Sequence, residues 1–132
     1  MGGEAQRKIY GKICCADFFL MGTNAITLGG ELINIDGRGN RVAFLCFGPQ
    51  NVLIAAGMNK VVADINSGFK RVQNVASPPN AIRLNRKTPC AITGKCEDCY
   101  SPDCMCGQFV VIRRSGIPKR IKVILIGEEL GY

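Results

Sequence analysis

Asn51-Val-Leu-Ile-Ala-Ala-Gly57 is an unbroken apolar run with a turn-forming residue at each end. A half-buried strand would carry a polar residue at every second position, and this run does not. Continuous runs of this length belong to strands covered on both faces, as in the parallel sheets of α/β proteins. Working outward, Ala16-Asp-Phe-Phe-Leu-Met21 reads as another buried strand ending at Gly22. Glu31-Leu-Ile-Asn-Ile35 reads as a further strand, entered through a turn at residues 28–31. Asn40 is placed to cap a short helix running to Phe47.

Downstream of the central run, residues 59–75 place Val61, Val62, Ile65, Phe69 and Val72 at helical spacing. Gly68 is an unfavourable interior residue for that helix, and Pro78-Pro79 is its expected stop. Residues 109–112 and 121–126 read as two closing strands, with a turn at residues 115–118 between them. Strands alternating with helices predict an α/β fold with a largely parallel sheet. One good helix is thin cover for such a sheet. The expectation is therefore part of a larger domain, or an open face buried in a homo-oligomer.

A length of 132 residues suits a single domain, spanning 1–132, with residues 88–107 as an insertion within it. The chain is 47% hydrophobic and can build a core without disulfides. No segment approaches the roughly 18 apolar residues of a membrane span. The N-terminal Met1-Gly-Gly-Glu-Ala-Gln-Arg-Lys8 has no apolar stretch of the kind a secretory signal needs. The expected location is the cytoplasm, where thiols stay reduced and eight cysteines point to metal ligation.

Five of those cysteines fall in the pattern Cys90-x5-Cys96-x2-Cys99-x4-Cys104-x-Cys106. The Cys96/Cys99 pair puts two thiols on one turn, where both can reach one ion or one cluster edge. The chain has no histidine, so ligation is all-sulfur or sulfur with carboxylate, and soft thiolate sites select zinc or iron–sulfur clusters. Zinc sites of four cysteines often use two CxxC-like pairs; a single pair among wider spacings favours a cluster, [4Fe–4S] above other types. A redox CxxC of thioredoxin type lacks its strand-then-helix context here. Lys95 is placed to raise a cluster's potential by its charge. Cys14, Cys15 and Cys46 lie beside apolar runs and read as small buried hydrophobes.

Two loops follow strand ends, where open α/β sheets bind ligands. They contribute Thr23, Asn24, Asp36, Gly37, Gly39, Asn40 and Arg41 as candidate contacts to a small carboxylate or phosphorylated ligand. The same residues also serve as ordinary turn and cap residues. The absence of histidine excludes Ser-His-Asp and Cys-His catalysis. A net charge of +7 raises the question of nucleic acid, with Arg83, Arg86, Lys87, Arg113, Arg114, Lys119 and Arg120 as its basic residues. Bound thiolates would offset part of that charge, and there is no tryptophan and no run of stacking aromatics. These cations read better as a solvated face.

The segments Met21-Gly-Thr-Asn-Ala-Ile-Thr27, Asn34-Ile-Asp-Gly-Arg-Gly-Asn-Arg-Val42 and Phe47-Gly-Pro49 recur in order in one family. So do Lys87-Thr-Pro-Cys90, Thr93-Gly-Lys-Cys96, Asp98-Cys99, Ser101-Pro102 and Gly127-Glu-Glu-Leu-Gly131. With these, the chain resembles the LUD-domain family of lactate-utilization proteins from about Ala16 to its end. The family domain carries a further upstream portion, so the match is to its C-terminal part. The resemblance implies a partial domain like that of the NagB, ribose-phosphate isomerase (RpiA) and CoA-transferase group. It also implies a role in oxidising lactate to pyruvate beside iron–sulfur or flavin partner subunits. In the cysteine-bearing branch it implies Cys90, Cys96, Cys99 and Cys106 as ligands, with Cys104 able to replace Cys106. No catalytic residue follows from it, because fold does not fix a reaction.

Overall fold

The structure is a computed structural model and describes residues 3–132. It is a mixed α/β fold with two sheets. The first contains β1 (Phe18–Met21), β4 (Asn51–Gly57) and β7 (Ile121–Ile126) in the order β1-β4-β7, all parallel. The second contains β2 (Ala25–Thr27), β3 (Leu32–Asp36), β5 (Val61–Val62) and β6 (Gln108–Ile112) in the order β5-β2-β3-β6. Within it β2 and β5 run parallel, whereas β2 with β3 and β3 with β6 run antiparallel.

The two sheets pack face to face. Ile26 and Leu32 of the mixed sheet meet Val52 and Ile54 of the parallel sheet, and Leu45 of α2 (Asn40–Cys46) closes that layer. The opposite face of the mixed sheet presents Ala25, Ile33 and Ile35 to Val72 and Ala76 of a long helical segment. That segment consists of α3 (Ile65–Arg71), one π-helical stretch (Val72–Ala76) and α4 (Ser77–Arg83). The strands buried on both faces are therefore β2 and β3, in the mixed sheet.

This reverses the expectation for residues 16–21 and 52–56. Each is a strand with one buried face only. On the outer side of the parallel sheet Phe18 is 63% and Leu20 70% exposed, and Ala55 and Ile124 are exposed beside them. The expected helix over residues 59–75 is also revised. Val61 and Val62 form a two-residue strand beside β2, and the helix starts only at Ile65. Asp64 caps it, its carboxylate accepting from the Ser67 N–H at 2.7 Å.

Pro78 and Pro79 do not stop the helical path. They stand in the first turn of α4, where the missing N–H groups would have no intrahelical partner. The preceding π turn, with the Ser77 N–H bonded to the Val72 carbonyl, shifts the register so that this new first turn can form. Gly68 allows the helix to lie close to the sheet. A Cβ there would meet Ile33 Cδ1 at 2.7 Å.

Three further expectations change. Asn40 is the first residue of α2 and not its cap. Gly39 precedes it in the left-handed region (φ 82°), and Asp36 reaches over to accept from the Val42 N–H at 3.2 Å. The closing strands do not form a hairpin, since β6 pairs with β3 and β7 with β4. An unexpected helix, α1 (Gly3–Cys14), precedes β1 and touches α2 through Tyr10 and Phe44. Cys15 and Cys46 are exposed, and Cys14 is only half-buried beside Gly48, so these three are not core residues. Among the described residues no helix is long and apolar enough to cross a membrane.

Candidate functional site: a thiol-lined cavity beside a cationic cleft

The cysteine segment has no core of its own and is pinned from outside. Asp103 accepts from Arg86 Nη1 at 2.9 Å and from the Lys87 N–H at 2.6 Å. Asn74, on the π turn, accepts from the Cys96 N–H at 3.3 Å. At its far end the Gly107 N–H donates to the Asp36 carbonyl at 3.0 Å. Two glycines make this last approach possible. A Cβ on Gly107 would lie 2.8 Å from the Gly37 carbonyl oxygen, and one on Gly37 would crowd the Met105 carbonyl at 3.3 Å. Gly37 therefore serves the docking of the cysteine segment. Its own N–H is taken by the Asp36 carboxylate at 2.9 Å.

Cys90, Cys96, Cys99, Cys104 and Cys106 all line one cavity of about 320 Å³. Cys90 is carried by the short α5 (Pro89–Thr93), and its Sγ lies 3.2 Å from Thr88 Oγ1. The other four come from irregular chain. Donors are turned toward several sulfurs: the Asp98 N–H toward Cys96 Sγ and the Cys106 N–H toward Cys104 Sγ, each at 3.4 Å. The Cys99 thiol is held below its ordinary range by hydrogen bonds from Ser101. Cys106 is the opposite case. Burial, with Cys104 and Cys96 nearby, pushes its thiol up to about 11. Among the described residues no three Cys, Asp or Glu side chains gather closely enough to hold a single metal ion. The thiols line the cavity together, with Cys104 within hydrogen-bond reach of both Cys99 and Cys106. Lys95 lies on the exposed rim of the segment.

A second cavity, about 520 Å³, adjoins the first, and Ser77, Met105 and Cys106 line both. Of the loop residues singled out in the sequence, Asn24, Asp36, Gly37, Asn40 and Arg41 line it, while Thr23 and Gly39 do not. Thr23 is buried, donating to the Ala25 carbonyl and accepting from Asn34 Nδ2 at 3.1 Å. Arg41 is heavily engaged. Its Nη1 donates to Asn34 Oδ1 at 2.7 Å and its Nη2 to Asn24 Oδ1 at 3.1 Å and to the Ile35 carbonyl at 3.2 Å. The loops thus form a polar knot in which most donors and acceptors are already paired.

Sequence reasoning missed Arg38, Lys60 and Arg83 as lining residues of this cleft. Arg38 sits inside the loop motif itself, yet Lys60 and Arg83 arrive from elements distant in sequence, and no local pattern announces them. The basic residues are otherwise scattered. Arg86 is paired with Asp103, and Arg113, Arg114 and Lys119 are exposed between β6 and β7. Arg120 is buried and is removed from the solvated face proposed for it. It donates to the carbonyls of Phe44, Leu45 and Pro49 at 2.7–3.0 Å and so closes the C-terminal end of α2.

The LUD domain family model matches residues 2–126. The chain therefore belongs to the LUD-domain family. A solved structure of a DUF162 family protein from Deinococcus radiodurans shares the fold at 18% sequence identity and a TM-score of 0.50. The similarity covers 89% of this chain and 58% of that one, so the chain spans little more than half the length of its solved neighbour. No curated protein matches it.

Proposed function

We propose that this protein is a redox accessory protein of a lactate-utilization system, carrying an iron–sulfur cluster on its cysteine segment. The observation that carries the reading is the common cavity lined by five thiols. Family membership supplies the link to lactate utilization. Cys90, Cys96, Cys99 and Cys106 would hold the cluster, with Cys104 as the competing fourth ligand. Such a cluster supplies one-electron transfer when bound, and N–H donors aimed at its sulfurs tune its potential. The chain's own contribution is to position the thiols, to shield Cys106 behind Ser77, and to place a cationic cleft against the same wall. That cleft would take a small carboxylate or phosphorylated ligand.

Zinc is the second reading, with the cysteines as a structural clip. A tetrahedral thiolate site draws its sulfurs to within about 3.8 Å of one another, given a Zn–S distance near 2.3 Å. Five thiols on one cavity, with a single CxxC pair among wider spacings, favour the larger group. Protein purified without oxygen separates the two. Iron and sulfide in the sample, with a broad visible thiolate–iron band, support the cluster; a colourless protein holding one zinc per chain sinks it. Partner subunits bearing flavin or further clusters would complete lactate oxidation, since neither sequence nor cavity offers a nicotinamide or flavin fingerprint.

A further inference from the structure

Resting on the reading of the cleft as an anion site, we infer that it recognises a doubly charged phosphate group, and that Arg38, Lys60 and Arg83 are the side chains that bind it. The cleft carries the cations Arg38, Arg41, Lys60, Arg83 and Arg86 against a single side-chain carboxylate, Asp36. That carboxylate is committed, accepting from the Gly37 and Val42 N–H groups and facing Arg41 Nε at 3.9 Å. Arg41 is bound up in the knot and Arg86 is paired with Asp103, so neither is free to follow a ligand.

Three cations then remain for binding. Arg38 and Lys60 make no side-chain hydrogen bond or ion pair among the described residues, and Arg83 bonds only the neutral Asn80 amide. They come from three separate stretches of chain: the turn before α2, the residue before β5, and the last turn of α4. Lys60 Nζ lies against Gly22 and Gly131, and its partial burial, with Arg71 and Arg41 nearby, holds its ammonium below the ordinary lysine range. A cleft that holds several like charges, with Lys60 half-buried, Arg38 and Arg83 open to solvent and its one side-chain carboxylate spent, attracts an anion. A monocarboxylate would neutralise one of the three free cations. A phosphate dianion carries two charges and enough acceptor oxygens for several cations, and arginine forks match its oxygens in pairs. The volume is that of a metabolite pocket.

The test uses calorimetry on the full chain as purified, at fixed ionic strength, with inorganic phosphate and pyrophosphate set against L-lactate and acetate. Lys60→Met and Arg38→Met are measured separately, each with its thermal midpoint, and Lys70→Met on the exposed face of α3 is the charge control. The expected result is phosphate or pyrophosphate binding tighter than lactate, weakened tenfold or more by either cleft variant and unchanged in Lys70→Met. Lactate binding as tightly as phosphate overturns the dianion assignment and leaves the cleft a carboxylate site. Binding indifferent to both cleft variants, equal loss in the control, or no binding of any probe overturns the site altogether. Iron and sulfide in the same sample judge the cluster separately, so each reading can fail without the other.

Discussion

The polar knot of residues 22–41 and the cysteine segment of residues 88–107 face each other across the cleft and are built by opposite means. In the knot, Asn34 is fully buried and bonds Thr23, the Asn24 N–H and Arg41. It sits on β3, whose neighbours on both sides are strands and whose faces are both covered. The cysteine segment has almost no buried side chain and is held by Asp103, by Asn74 and by one backbone bond to Asp36. The lesson is a division of labour. Rigidity resides where every polar group is paired, and adaptability where reactive groups are left for something else to satisfy.

That contrast can be broken most forcefully at Asn34. Asn34→Ala would strand three partners in the interior and should cost on the order of 3 kcal/mol, read as a lowered denaturant midpoint with unchanged slope. A loss under about 1 kcal/mol would mean the knot is not the rigid half. Gly68→Ala, beneath the same strand, should cost about 1 kcal/mol net. Crowding against Ile33 outweighs the better helix propensity of alanine. A stabilised variant would show that Ile33 can repack.

On the other side of the cleft, Cys99→Ser should leave the melting of metal-free protein unchanged while abolishing metal loading. A large stability loss without metal would make the segment a structural element in its own right. A pH titration sharpens the point. The native Cys106 thiol keeps its proton to about 11 from an ordinary 9.0, so the unfolded chain gives up that proton first. Stability of the metal-free protein should therefore be intact below about pH 9 and decline between about 9 and about 11, with the decline absent in Cys106→Ala. The smallest effect is expected from Asp103→Asn. It weakens one pin of the segment, leaving the global midpoint in place and quickening amide exchange around residues 96–106.

Membership of the family was legible in the sequence because its motifs are local and ordered, and the cysteine cavity because its five ligand candidates lie within one short stretch. Strand positions were legible from apolar runs. Which strands would be buried on both faces was not. Residues 51–57 look more apolar than Leu-Ile-Asn-Ile-Asp, yet β3 is covered on both sides, and its asparagine finds its partners there. Periodicity reports composition along a strand, whereas cover depends on what packs against it.

The sequence by itself determined the α/β class, the sulfur-based, histidine-free character of any metal site and the absence of histidine chemistry. Only the tertiary structure decided that Arg41 and Arg120 are fasteners, that Gly37 and Gly107 admit the cysteine segment, and that Lys60 and Arg83 complete a cleft beside Cys106. The reason is one of range. Ligand type and strand propensity are properties of neighbouring residues, while the partner of a charge is chosen by the fold from residues up to 76 positions away.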